Sequence, residues 1–186
     1  VGIAVAFALL RGLASSDGGK LGNFFVDVVR AVLYVLLPLS LVLALVGVWQ
    51  GSPQTFQGYE MVQLLEPVSV DAEGALVDAD DPTAVQEVTE AVVPLGPQSS
   101  QVAIKQLGTN GGGFNGANSA SALENPTPLT NLLQCAAMPL IPFALVFAFG
   151  RMVGDRRQSR ALMTVVLAIL AAGLFSVIAA ETAAPP

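Results

Sequence analysis

Leu107-Gly108-Thr109-Asn110-Gly111-Gly112-Gly113-Phe114 is an uncharged stretch between a short amphipathic run and a long apolar one. Three consecutive glycines after Thr-Asn let the backbone take positive φ at successive positions without steric cost. Such a segment can turn consecutive carbonyl oxygens to one side, and a row of carbonyls can replace the water shell of a potassium ion. Taken alone, the stretch reads more readily as a flexible linker, as Gly-rich segments commonly do. Its surroundings reverse that reading.

On the N-terminal side, Pro97 to Leu107 reads as a short helix with Ser99 or Ser100 as its N-cap and Val102, Ile104 and Leu107 as its apolar contacts. About ten residues rise roughly 15 Å, half a bilayer. That is too short to cross, and the glycines follow at once. A half-length helix ending in irregular backbone is the pattern of a re-entrant pore loop. The negative end of its dipole favours a cation there. Lys105 must then point away from the ion path or pair with a carboxylate. On the C-terminal side, Asn115 to Asn125 returns the chain toward the surface with Glu124 as its only charge. Pro126-Thr127-Pro128 opens the next helix, since Pro suits a first turn.

Composition supports a lipid setting. The chain has 186 residues, 53% apolar and 12% charged, whereas soluble domains carry about 25% charged residues. Ala31 to Gln50, Asn125 to Gly150 and Ala161 to Ala180 are free of charge. Twenty residues at 1.5 Å each span about 30 Å, the thickness of the hydrocarbon core. Pro38 lies within the first of these runs and Pro139 and Pro142 within the second; membrane helices tolerate such prolines. Trp49 stands at a span end, where interfacial aromatics belong. Cys135 is the sole cysteine and there is no histidine, which excludes an internal disulfide and leaves little basis for a zinc or iron site. A net charge of −6 argues against nucleic-acid binding.

The fold class expected is an all-α membrane protein: a helix–pore loop–helix unit with a partial flanking helix before it and a further span after it. Residues 1–14 are read as the end of a truncated transmembrane helix, and the chain as a piece of a longer one. Then come a polar loop at 15–23, a transmembrane helix at 24–50, an acidic loop at 51–96 and the pore helix with filter loop at 97–125. A transmembrane helix at 126–149, a basic loop at 150–160 and a last span at 161–180 complete the chain. The acidic loop holds Glu60, Glu66, Asp71, Glu73, Asp78, Asp80, Asp81, Glu87 and Glu90, with no Lys or Arg and no sustained periodicity. It reads as a solvated outer loop; a cation-attracting vestibule is the alternative.

Charge sorting tests the topology independently. Arg11, Lys20 and Arg30 flank the start of the first full span, and Arg151, Arg156, Arg157 and Arg160 lie between the other two. The positive-inside rule places loops 15–23 and 150–160 in the cytoplasm and loop 51–96 outside. The glycine stretch then enters from outside without crossing.

These residues resemble the potassium-binding A-subunit family of the bacterial Kdp potassium-transporting ATPases. The resemblance rests on Ile104-Lys105-Gln106-Leu107-Gly108-Thr109-Asn110-Gly111-Gly112-Gly113-Phe114 and on Glu124-Asn125-Pro126-Thr127-Pro128-Leu129-Thr130-Asn131. Phe149 to Gln158 and Leu21 through Pro38 also match, in the same order. The family arranges four such repeats around one pore, and this chain resembles the second. The resemblance implies that backbone carbonyls of Thr109, Asn110, Gly111 and Gly112 bind potassium as one quarter of a selectivity filter. It makes Gly108, Gly113, Phe114, Glu124 and Asn125 supports of that filter. It also implies a bacterial inner-membrane location and partners: a P-type ATPase subunit that hydrolyses ATP, and two smaller membrane subunits. The chain departs from the family pattern at Asn115-Gly116, where a second Phe is expected first, and at Ser121-Ala122-Leu123 in place of His-Pro-Phe.

No Asp-Lys-Thr-Gly phosphorylation motif and no phosphate-binding Gly-x-x-x-x-Gly-Lys-[Ser/Thr] loop occurs, so no catalytic residue is expected in this chain. The alternative is a non-conducting scaffold subunit whose glycines only permit close helix packing. Consecutive glycines after a half-length helix favour the filter over that spacing-dependent role.

Overall fold

The computed structural model describes residues 1–15, 21–73, 76–77, 86–115 and 117–183. The expectations for Lys20, Asp78, Asp80, Asp81, Gly116 and the Pro185-Pro186 end lie outside the described residues. The chain is mostly helical. Helix α1 covers Gly2–Ala14, α2 Phe24–Trp49, α4 Pro128–Met152 and α5 Arg156–Ala183, with the half-length helix α3, Gln98–Gly108, between them. Helices α2, α4 and α5 are each long and apolar enough to cross a membrane, and almost none of their apolar surface is buried within the chain.

Helix α2 starts at Asn23, whose side chain accepts from the Phe25 and Val26 N–H groups. Its middle, Ala31–Leu36, is a π-helical turn in which the Leu37 N–H reaches the Val32 carbonyl. Pro38 follows immediately. Proline has no N–H and its ring crowds the carbonyl four residues back, and a wider turn is a common way for a helix to absorb that conflict. Arg11 of α1 grips both carboxylate oxygens of Asp27 and the Leu21 carbonyl, joining α1 to the start of α2.

In the acidic segment, where the sequence places no element, the structure adds strands. Strands β1, Tyr59–Val70, β2, Leu76–Val77, and β3, Gln86–Pro94, form an antiparallel sheet in the order β2-β1-β3. Tyr59 pairs with Pro94 and Val70 with Gln86, with a register slip between Gln63 and Val68. Pro67 lies in the slipped stretch, where its missing N–H costs no ladder bond. The bulge breaks the two-residue alternation, which hid the strand from a periodicity reading.

The sheet stem runs straight into α3. The Leu95 N–H donates to the Gly58 carbonyl at 2.7 Å and the Thr55 N–H to Gly96 at 3.2 Å. The proposed serine cap is also corrected: the N-cap residue is Pro97, without a side-chain bond. The Ser99 N–H donates instead to the Pro53 carbonyl and the Ser100 N–H to Gln54 Oε1, so the incoming chain caps the helix. The Ser99 hydroxyl is turned to α2 and donates to the Ala44 carbonyl at 2.7 Å. Helix α4 begins as expected at the proline pair, with Thr127 and Thr130 forming a capping box and Pro128 in the first turn. The basic loop of 150–160 is shorter than expected. Arg151 lies in the last turn of α4, which ends at Met152, and Arg156 opens α5, with the chain turning between them at Gly154, φ 77°.

Candidate functional site

Helix α3 ends where Thr109 takes left-handed backbone, φ 49°. Gly111 and Gly113 are also at positive φ, 73° and 153°, while Asn110 and Gly112 are not. Positive φ thus recurs at every second residue, Thr109, Gly111 and Gly113, a pattern that glycine adopts without steric cost. The Asn110 side chain accepts from the Gly112 N–H at 3.1 Å, a local turn that steadies the alternation. Residues Gly108 to Gly113 are exposed, and a Cβ built on Gly111 would meet nothing within 4 Å. Phe114 follows, its ring seated against Gly96.

Behind this segment lies a buried polar network. Lys105 Nζ donates to Glu124 Oε2 at 2.6 Å, and both side chains are almost fully buried, 4% and 0% exposed. Glu124 Oε1 accepts the Asn115 N–H at 2.9 Å. Asn115 Nδ2 donates in turn to Gln98 Oε1, and Gln98 Nε2 to the Pro94 carbonyl. Gln106 Nε2 bridges the Ser119 hydroxyl and Gln134 Oε1, and Gln134 Nε2 reaches the Glu124 carbonyl. The Ser52 hydroxyl donates to the Leu123 carbonyl, and the Thr127 hydroxyl to Gln50 Oε1. Asn125 accepts from the Thr130 hydroxyl at 2.8 Å and donates to Asn131. Among the described residues no buried side-chain nitrogen or oxygen lacks a partner. A buried network of this kind rigidifies only when fully satisfied.

Of the two options open to Lys105, the structure takes the carboxylate. Its stem also lies against Gly113, where an added Cβ would fall 2.6 Å from Nζ and 2.9 Å from Cδ. Thr109 to Gly112 form one continuous exposed run, whereas Glu124 and Asn125 sit on the loop behind it. Sequence reasoning missed Gln98, Gln106, Asn115, Ser119 and Gln134. The signal that could have found them is the unusual density of amide and hydroxyl side chains between apolar runs, since such groups must be paired when buried. Asn115 is instructive, because the residue that departs from the family pattern supplies both an N–H to Glu124 and an amide to Gln98.

The fold and this network define a helical membrane protein with a half-length helix and an exposed glycine-rich turn braced by a buried ion pair. The family model described as "Potassium-transporting ATPase A subunit" matches residues 1–186, and the chain belongs to that family. A relative from Solidesulfovibrio magneticus, named potassium-transporting ATPase potassium-binding subunit, is 51% identical over 185 residues, covering 100% of this chain and 31% of the relative. Proteins of the same name from Desulfovibrio desulfuricans and Clostridium botulinum are 50% and 49% identical, covering 100% and 95% of this chain. The chain thus spans about 30% of the length of the curated relatives it matches.

Proposed function

We propose that the backbone carbonyls of Thr109, Asn110, Gly111 and Gly112 bind potassium as one quarter of a selectivity filter. Gly108, Gly113, Phe114, Glu124 and Asn125 support that filter. The whole protein is the potassium-binding and translocating subunit of an ATP-driven uptake complex in a bacterial cytoplasmic membrane. ATP is hydrolysed on a P-type partner subunit, with small membrane subunits completing the assembly. Loop 51–96 faces outward and loops 15–23 and 150–160 face the cytoplasm, as charge sorting requires.

The observation that carries this reading is an exposed backbone with positive φ at every second residue, at the C-terminal end of a half-length helix. Lys105, the cation in the last turn of the helix, is neutralised by Glu124 on the buried side, so it does not oppose the helix dipole. The scaffold reading has a specific observation against it. Glycines that serve packing have a neighbour where a Cβ would be, as Gly47 has Ser99 and Gly150 has Ser159. Within this chain Gly111 has none and Gly112 meets only the Asn110 side chain at 3.5 Å, while Gly113 meets the Lys105 side chain.

The test is growth at limiting potassium of cells carrying the full-length gene and its partner subunits, with and without Gly111→Asp. A filter predicts a complex that still assembles but needs more potassium or admits other cations. Unchanged growth and ion preference would remove Gly111–Gly113 from the filter. Loss of assembly would favour the scaffold.

A further inference from the structure

We propose that Lys105 and Glu124 act together as positioning residues that set the ion preference of the Thr109–Gly112 segment. This inference rests on the filter reading above. The pair touches the exit end of the exposed turn, and Lys105 itself belongs to the helix that leads into the turn. Lys105 lies against Gly113, close enough that no Cβ could stand there, and Gly113 at φ 153° is backbone that a side chain rarely adopts. Glu124 holds the chain just past Phe114 by accepting the Asn115 N–H at 2.9 Å. One carboxylate therefore binds an ammonium on the helix that enters the turn and a backbone N–H on the segment that leaves it. The distance between entry and exit is set by that clamp, and with it the curvature of the five residues between.

The clamp is itself fixed. The Glu124 carbonyl accepts from Gln134 of α4, and Gln134 is tied through Gln106 back to α3. Both charged side chains are buried, so neither can change rotamer without leaving a charge unpaired, a state far costlier than the pair. Carbonyl groups select among ions of one charge by their spacing and number. A stiff clamp behind the turn resists the small adjustments that would let a larger or smaller ion fit equally well. Groups that orient metal ligands from behind typically govern affinity by about 10- to 100-fold.

The experiment uses the complete complex purified with its partner subunits, measuring ATP hydrolysis stimulated by potassium and by rubidium. Glu124→Gln, Lys105→Met and the double variant are compared with Gly111→Asp. The proposal expects the KM for potassium to rise about tenfold or more. The rubidium-to-potassium KM ratio should move toward one, with kcat within about twofold. The double variant leaves no unpaired buried charge, so it reports the ratio even where a single variant fails to assemble. A purely structural pair would lower the yield or thermal midpoint of the complex and leave the ratio as in the wild type, which overturns the proposal. If Gly111→Asp shifts the ratio and the double variant does not, the clamp falls and the filter reading stands. If neither shifts it, both fall.

Discussion

At Lys105 the chain places a buried ammonium against Gly113 and beside a carboxylate that is itself sealed from solvent. Removing one member leaves the other charged and without a partner, at a cost of about 3–5 kcal/mol, whereas replacing both by neutral groups of similar size is often close to neutral. Glu124→Ala is therefore expected to lower the thermal midpoint of the detergent-solubilised complex markedly, and the Lys105→Met, Glu124→Gln pair to restore most of it. Equal losses in the single and double variants would show that the pair is not energetically coupled. The candidate residues themselves were legible: a charge-free Thr-Asn-Gly-Gly-Gly run needs no tertiary information to be noticed. Lys105 was legible only as a problem. Two solutions satisfied the chemistry, and the choice depended on which carboxylate the returning chain brought within reach.

Among the elements, the close approach of α3 to α2 turns on Gly47. A Cβ there would run into the Ser99 side chain, whose hydroxyl bonds the Ala44 carbonyl. Gly47→Val should push the half-length helix away from its neighbour, costing about 1–3 kcal/mol as overpacking does. The expected readout is a lower yield of assembled complex and a lower melting midpoint; an unchanged midpoint would mean that the contact is slack. The long helices were readable because twenty uncharged residues admit few other structures. The cap of α3 was not, since Ser99 and Ser100 suit an N-cap by type, yet Pro53 and Gln54 from the preceding segment reach the same N–H groups. The antiparallel sheet was missed for a related reason. Its pairing joins residues up to 35 positions apart, as Tyr59 to Pro94, and its bulge erases the local alternation by which a strand is recognised.

For the whole molecule, sidedness is the property most open to a direct check. In a full-length protein with Cys135→Ser, Gln57→Cys should react with a membrane-impermeant maleimide from outside intact cells, and Gln158→Cys only after permeabilisation. The reverse pattern would overturn the orientation and, with it, entry of the glycine turn from the outer face. The long apolar faces of α2, α4 and α5 remain open in this chain. In the membrane they meet lipid or further protein, which is consistent with a chain matching about 30% of its relatives' length.

The sequence by itself determined the long apolar helices, the half-length helix and the glycine turn, because composition and run length act locally and lipid permits few alternatives. Tertiary structure decided the rest: that Lys105 faces Glu124 nineteen residues away, that Asn115, Gln98, Gln106 and Gln134 join them, and that an antiparallel sheet forms ahead of the half-length helix. Buried polar groups must be paired. Which partner each one finds depends on where the packed helices carry it, not on its neighbours in the chain.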